Sequence, residues 1–272
     1  MNTTLVVGGT GKTGRRVAQR LRARGLPIRI GTPSGEPPFD WNDQATWAPA
    51  LENVASVYAT YAPDLAFPGA AETVGTFADL AVASGARRLV LLSGRNEEGA
   101  LRGEQAVRDS GADWTLVRSS FMSQNFSESF WLEPVLAGEL AFPAGQVAEP
   151  FIDAEDIADV AVAALTDDRH VGQLYEVTGP RLLTFAEAVG EIAKATGRTI
   201  RYVPVSMEQY ASALTEDGLP DEFVKLLIEL FTEVLDGRNA HLSDGVQRAL
   251  GRPPRDFRDY ARAAAATGVW DR

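Results

Sequence analysis

Leu5-Val6-Val7-Gly8-Gly9-Thr10-Gly11-Lys12-Thr13-Gly14-Arg15-Arg16 is the stretch whose reading decides the rest of the chain. Leu5, Val6 and Val7 form an apolar run that reads as a short buried strand. Glycines follow at 8, 9, 11 and 14. From Arg15 to Arg24 the apolar positions Val17, Ala18 and Leu21 recur at helical spacing. Strand, glycine-rich turn and helix together make the context that a dinucleotide-binding fingerprint requires. The glycines let the backbone turn tightly and let a diphosphate approach with no Cβ in the way. The first N–H groups of the helix then face the phosphate charge.

Two glycine registers fit this turn. Gly9, Gly11 and Gly14 spell G-x-G-x-x-G, whereas Gly8, Gly11 and Gly14 spell G-x-x-G-x-x-G, with Thr10 and Thr13 as added hydroxyl donors. Lys12, Arg15 and Arg16 stand beside the turn. Arg16 reads as a solvated helix residue. Lys12 and Arg15 read equally as solvated residues or as cations for a bound phosphate.

The bulk composition narrows the function classes. A chain of 272 residues suits one large α/β domain, or a nucleotide domain with a smaller cap. A hydrophobic content of 45% supplies a sizeable core. No apolar run is long enough for a membrane span. The first strand begins so close to Met1 that no signal peptide is expected. The chain has no Cys, which excludes disulfides and thiol catalysis and fits a reducing cytoplasm. With two His and no Cys, no metal site is expected. A net charge of −11 disfavours direct binding of DNA or RNA, which needs a basic footprint.

Strands and helices alternate after the turn. Gly25 stops the first helix, and Pro27–Thr32 reads as the second strand. Its end selects between cofactors: an acid there holds the ribose 2′-hydroxyl of NAD, a base the 2′-phosphate of NADP. Here stand Thr32, Pro33 and Ser34, with neither charge. Arg15, reaching from the first helix, tips the expectation to NADP over NAD. Phe39-Asp40-Trp41 reads as a short third strand, with Asp40 either an acceptor for the adenine amino group or a surface turn residue. A short helix through Trp47 and Leu51 follows. Ala55–Thr60 is the fourth strand, running into the loop Tyr61-Ala62-Pro63 at its carboxyl end, where ligands lie in doubly wound sheets. Phe67–Ser84 is a helix, Arg88–Gly94 a buried strand with Ser93 at its carboxyl end, Glu98–Ser110 a helix and Trp114–Arg118 a sixth strand.

The expected fold is therefore α/β, a Rossmann-type doubly wound parallel sheet with a small, mainly helical C-terminal substrate cap. The nucleotide domain is expected over 1–150, with 151–180 partly returning to it, and the cap over 181–272. Ser119–Trp131 breaks the alternation with Phe, Ser, Gln and Asn. Phe121, Gln124, Phe126 and, further on, Phe151 are the candidate substrate pocket, against the plainer reading of aromatic core packing. Asp153 and Asp156 have capping-box spacing and read as structural.

The order of motifs resembles a known family. Gly-Gly-Thr-Gly-Lys-Thr-Gly, Phe-Asp-Trp-Asn-Asp, Leu-Leu-Ser-Gly, Ser-Gly-Ala-Asp-Trp-Thr-Leu-Val-Arg, Asn125-Phe126 and Phe-Ile-Asp-Ala-Glu-Asp-Ile-Ala together look like the NmrA-like branch of atypical short-chain dehydrogenases. With Asp236-Gly237-Arg238-Asn239 added, the pattern is similar to bacterial relatives of the ergot-alkaloid agroclavine dehydrogenase. The resemblance implies that Gly8, Thr10, Gly11, Lys12, Thr13 and Gly14 hold the diphosphate of NAD(P); Gly9 in the same turn, and Arg15 and Thr32 by their places at the helix start and the strand end, are further candidates for cofactor binding. It implies that Asp40 and Trp41 flank the adenine and that Ala59, Tyr61 and Pro63 run past the ribose and phosphates. Ser93 and Gly94 would lie near the nicotinamide.

The chain departs from the wider short-chain dehydrogenases in its catalytic groups. Their Tyr-x-x-x-Lys pair, in which Tyr supplies the proton and Lys lowers its pKa, occurs nowhere in this sequence. Position 100, where relatives often carry Lys, is Ala100. Only Ser93 is left, as a residue that orients the substrate or the nicotinamide amide. Alcohol–ketone chemistry lacks its usual acid, whereas an iminium carbon accepts hydride without a proton donor, and enones and quinones can draw a proton from water. The expected function is thus NAD(P)H-dependent reduction of a hydrophobic imine, enone or quinone. The alternative is a non-catalytic NAD(P)-sensing regulator that passes its state to a protein partner. A hydrolase is disfavoured, because Ser93 lies in Leu-Ser-Gly and not in Gly-x-Ser-x-Gly, and neither His170 nor His241 follows a strand as a triad His should.

Overall fold

The computed structural model describes residues 3–271. In chain order the elements are β1 (Thr3–Val7), α1 (Gly14–Ala23), β2 (Ile28–Gly31), α2 (Trp47–Leu51), β3 (Val54–Ala59), α3 (Ala70–Ala83), β4 (Arg88–Gly94), α4 (Glu98–Asp109) and β5 (Asp113–Ser119). There follow α5 (Asn125–Glu128), α6 (Leu132–Ala137), β6 (Glu139–Phe142), β7 (Ala148–Glu149), α7 (Ala154–Thr166), β8 (Gln173–Val177), β9 (Leu183–Thr184), α8 (Phe185–Thr196) and β10 (Arg201–Pro204). The chain closes through α9 (Met207–Glu216), α10 (Asp221–Val234), α11 (Gly245–Leu250) and α12 (Phe257–Ala266). Among the described residues no helix is long and apolar enough to cross a membrane.

The chain divides into two compact units. The first takes the residues up to Ser119, Ala154–Val177 and Asp244–Arg252. The second takes Ser120–Asp153, Thr178–Ser243 and the residues from Pro253 onward. The first boundary thus falls at Ser119–Ser120, where the sequence reading placed it at 150. The reason is packing: Phe126, Trp131, Phe142 and Phe151 belong to the apolar core of the second unit.

The first unit is built on a six-stranded parallel sheet of order β2-β1-β3-β4-β5-β8. Its central strands are buried on both faces, which is why β4 reads as four consecutive apolar residues, Leu89–Leu92. On one side α1 packs against α7, and on the other α3 packs against α4. The strand order reverses direction between β1 and β3, and ligands of such sheets lie at the carboxyl ends beside that switch. The α1 end is well defined: Gly25 has φ +69°, Leu26 N donates to Leu21 O at 3.1 Å and Gly25 N to Arg22 O at 2.9 Å, a Schellman closure. On the outer side of α1, Arg20 Nε meets Asp159 of α7 at 2.7 Å and its Nη2 meets Glu155.

The expected third strand at Phe39-Asp40-Trp41 is not a strand. Only an isolated bridge joins Asp40 to Asp43. Pro37 and Pro38 bring no N–H to a ladder, and Phe39 and Trp41 both turn into the apolar core with Trp47 and Phe77. The third strand of the sheet is Val54–Ala59.

The second unit is mainly helical, with two small sheets, β10 parallel to β6 and β7 antiparallel to β9. Aromatic rings fill its core. Trp131 lies 4.7 Å from Phe126 and 4.9 Å from Phe142, mostly edge-on or tilted as aromatic quadrupoles prefer. Trp270 near the chain end is fully buried, and its Nε1 donates to Phe126 O at 2.9 Å.

Candidate functional site

The glycine turn is shaped by close approach. Gly8 has φ +68°, a left-handed conformation that favours glycine, and its carbonyl accepts from Gly11 N at 2.9 Å. A Cβ on Gly14 would collide with that same carbonyl. A Cβ on Gly9 would lie 2.9 Å from Ile30 Cγ2 and from Val6 O. Both glycine registers are therefore in use: Gly8 and Gly14 bring the helix onto the strand, and Gly9 wedges against β2. Thr10 and Gly11 are exposed at the tip. A Cβ on Gly11 would meet only Gly8 O, at 3.2 Å, so the outer surface of the tip is bare backbone. That cradle fits a diphosphate, which needs close main-chain approach at a helix start.

The residues beside the turn divide by burial. Thr13 is 4% exposed, and its oxygen accepts from the hydroxyl of Tyr58 on β3 at 2.9 Å. Arg15 is exposed. Arg16 turns away from the tip: its Nε donates to Glu155 at 2.5 Å and its Nη1 to Lys12 O at 2.7 Å, as befits a structural helix residue. At the end of β2, Thr32 is buried, with its hydroxyl 3.5 Å from that of Ser34.

The 39–43 turn is tied to the end of β3. Trp41 Nε1 donates to Thr60 O at 3.1 Å, and its ring lies 5.1 Å from that of Tyr61. Trp41 is only 9% exposed, so the larger part of its ring serves the core. Asp40 Oδ1 accepts from Asn42 N at 2.9 Å and closes its own turn. Ala59 is buried in the sheet, while Tyr61 is partly exposed and Pro63 exposed in the loop that follows.

At the ends of β4 and β5 the structure shows a polar network that was not foreseen. Ser93 is buried, and its Oγ donates to Glu104 Oε1 at 2.8 Å. Glu104, fully buried on α4, also takes Arg118 Nε at 2.8 Å and Arg118 Nη2 at 2.5 Å. The Glu104 hydrogen bonds hold the Arg118 guanidinium above its ordinary pKa, against the opposing effect of burial. Next to it, Arg95 Nε donates to Glu176 at 3.0 Å. Ser93 and Arg118 are register partners on adjacent strands, as are Gly94 and Ser119. The Ser93 proton is thus given to a carboxylate, and the oxygen is left with lone pairs to offer. The signal available in the sequence was Arg118, a cation near the carboxyl end of a strand, directly after the apolar Leu116 and Val117; nothing marked Glu104 out from other acids on a helix.

The expected substrate pocket is corrected in part. Phe126 and Phe151 are 0% and 1% exposed and belong to the aromatic core of the second unit, so a ligand cannot touch their rings as they stand. Gln124 is 2% exposed, and its Nε2 donates to Asp153 Oδ1 at 2.7 Å. Phe121 alone of the four is partly exposed, with its ring 6.0 Å from that of Trp131. Asp156, read as structural, is buried and paired with Arg252 at 2.7 Å. Among the described residues no group of His, Cys, Asp and Glu is placed to hold a metal ion.

Fold and turn together define a dinucleotide-binding protein of the Rossmann class. No family model matches the sequence. Individual relatives match along its length. The chain is 32% identical over 283 residues to the uncharacterized oxidoreductase YesF of Bacillus subtilis, covering 99% of this chain and 98% of YesF. It is 31% identical over 284 residues to agroclavine dehydrogenase of Claviceps fusiformis, covering 95% and 96% of the two chains. In fold it is similar to the crystal structure of Citrobacter sp. triphenylmethane reductase complexed with NADP(H), with a TM-score of 0.74 at 18% identity, over 97% of this chain and 100% of that one. The chain belongs to the NmrA-like branch of the atypical short-chain dehydrogenases/reductases.

Proposed function

We propose that this protein is an NADPH-preferring reductase that delivers hydride to an imine or iminium, an enone or a quinone without a protein acid. The observation that carries the reading is the fate of the Ser93 hydroxyl. It is the one group left from the usual catalytic set, and its proton is committed to Glu104 at 2.8 Å. Helix α4 has neither Tyr nor Lys, and Ala100 is fully buried in the core. Electrophiles that need no proton from the protein are the acceptors such a site can serve. An iminium carbon gains hydride and becomes a neutral amine, so the charges balance without an acid.

A bound reduced nicotinamide supplies the hydride. The chain's own residues bind and orient. Gly8–Gly14 receives the diphosphate on bare backbone, and Lys12 and Arg15 add positive charge beside it. Asp40 and Trp41 lie toward the adenine, and Ala59, Tyr61 and Pro63 toward the ribose. Ser93 offers its oxygen to a donor such as the carboxamide N–H, and Gly94 follows it at the end of β4, packed against the Glu97 carboxylate. Positioning of this kind is itself a large share of catalysis. Phe121 supplies aromatic surface to a flat substrate. The exposed Arg15, with Thr32 and Ser34, supports the choice of the 2′-phosphate. The absence of Cys fits a reducing cytoplasm.

The test is oxidation of NADPH against a panel of cyclic imines, enones and quinones, alongside simple ketones. Turnover of the first group with ketones inert is expected, with NADPH bound more tightly than NADH. Brisk ketone reduction removes the acid-free mechanism, and tighter NADH binding removes the cofactor preference. Tight cofactor binding with no turnover at all selects the second reading, a sensor that reports the NAD(P) state to a protein partner; the commitment of Ser93 to Glu104 favours that reading too.

A further inference from the structure

Beneath the glycine turn lies a buried pair of hydroxyls. Tyr58, on β3, is fully buried, and its OH donates to Thr13 Oγ1 at 2.9 Å. Thr13 is 4% exposed and stands at the N-cap position of α1, where its side chain makes no capping hydrogen bond. Burial pushes the Tyr58 phenol well up, with the Thr13 bond opposing, so the phenol stays protonated across the working pH range. A hydroxyl has one proton to give and two lone pairs to accept with. Tyr58 uses Thr13 as its acceptor, and among the described residues no acceptor meets the proton of Thr13. Buried polar hydrogens are seldom left so, because each unmet one is costly. Beside this proton stand the first amides of a ten-residue helix, where a phosphate group would complete the donor set.

We infer that Tyr58 and Thr13 form a diphosphate anchor: Tyr58 holds the Thr13 oxygen as its acceptor, so that the Thr13 O–H donates to the diphosphate at the start of α1. Thr13 is a binding residue here and Tyr58 a positioning residue. The inference rests on the NAD(P) reading above and adds to it a side-chain donor from below the backbone cradle. It also gives the buried Tyr58 a use: it fixes which way a neighbouring proton points.

Calorimetric titration of the full chain with NADPH tests this, with the unfolding temperature of each variant recorded. Thr13→Val is expected to weaken NADPH about tenfold, one hydrogen bond's worth, about 1.4 kcal/mol. Thr13→Ser keeps the hydroxyl and stays within about twofold of wild type. Tyr58→Phe is isosteric, and weakens NADPH about threefold, since the Thr13 hydroxyl is kept but released. The double variant Tyr58→Phe/Thr13→Val binds no more weakly than Thr13→Val alone, because Tyr58 acts only through Thr13. Adenosine 2′-monophosphate, which lacks the diphosphate, binds wild type and Thr13→Val alike. The anchor is overturned if Thr13→Val binds NADPH as wild type does, if the two losses add, or if Tyr58→Phe lowers the unfolding temperature while leaving NADPH affinity unchanged. Wild type that binds no nicotinamide nucleotide overturns the NAD(P) reading itself; wild type that binds it, with variants that match, overturns the anchor alone.

Discussion

Glu104 shows what a single residue reveals and conceals. In the sequence it is one acid among several on an amphipathic helix, eleven positions from Ser93, and nothing in that spacing brings the two together. In the folded chain it is 0% exposed and receives Ser93, Arg118 and, at 3.7 Å, Arg108. Contacts of this kind depend on strand register and helix rotation, which local patterning does not encode. The glycines at 8, 9, 11 and 14 were readable because their constraint is local: a left-handed φ and a close crossing within a few residues. Glu104→Gln keeps the shape and removes the buried charge that two N–H donors of the part-buried Arg118 guanidinium face. Loss of one partner from a buried pair is strongly destabilising, and with Glu176 still 3.6 Å from Arg118 the lower end applies, about 3 kcal/mol. Urea unfolding of the variant checks this. A Glu104→Leu/Arg118→Leu pair is expected to recover most of the loss, since replacing both charges removes the unpaired one. Recovery would not occur if the cost of Glu104→Gln came from shape alone.

At the scale of elements, periodicity located β1 to β5 and α1 to α4, and it missed short pieces such as β6, β7 and α11, which are too brief to show a period. α8 (Phe185–Thr196) buries Phe185, Ala188, Val189 and Ile192, apolar positions at helical spacing. Its start is fixed by a capping box: Thr184 Oγ1 accepts from Glu187 N at 3.1 Å, and Glu187 Oε2 accepts from Thr184 N at 2.8 Å. Glu187 Oε2 accepts from Thr184 N and, at 3.0 Å, from the Thr184 hydroxyl, and these two bonds hold the Glu187 carboxyl below its ordinary pKa. Thr184→Ala should cost about 1 kcal/mol, the usual worth of an N-cap side chain, read as a shift of the denaturation midpoint at unchanged slope. Phe39–Trp41 went the other way. Alternation over three residues is satisfied equally by a strand and by two aromatic side chains turning into a core, and the two prolines before it settle the matter against a ladder. The candidate pocket was misread for a related reason. Phe121, Phe126 and Phe151 carry the same side chain, and only the fold decides which ring is packed on all sides. Aromatic residues in a row predict burial better than they predict a ligand.

For the molecule as a whole, paired carboxylates and the buried His170 set the response of stability to pH. His170 is 4% exposed in the first unit, with Nδ1 2.8 Å from Tyr175 Oη and its carbonyl accepting from Thr115. Burial lowers its pKa from the usual 6.5, helped by Arg169 and Arg88 and opposed by Asp167. Between the folded and unfolded values the unfolded chain binds the extra proton and the folded chain does not. Stability therefore rises with pH across that window. The contribution is fully present above about 6.5, the unfolded value, and is lost as pH falls below it toward the folded one. A second contribution lies lower. Burial would raise Glu155, but hydrogen bonds from Arg20 and Arg16 outweigh it and hold the carboxyl below its ordinary 4.5, so the link between α1 and α7 weakens as pH falls through that range. Two separate acid limbs are thus expected in a plot of unfolding temperature against pH, one beginning near neutrality and one in the carboxylate range. His170→Asn keeps a polar atom near Nδ1 and cannot titrate. It should flatten the upper limb between about pH 7 and pH 5 while leaving the lower limb in place. Its absolute stability at pH 8 is irrelevant to the comparison, which reads slopes. An unchanged slope in that variant would move the origin of the upper limb away from the buried histidine.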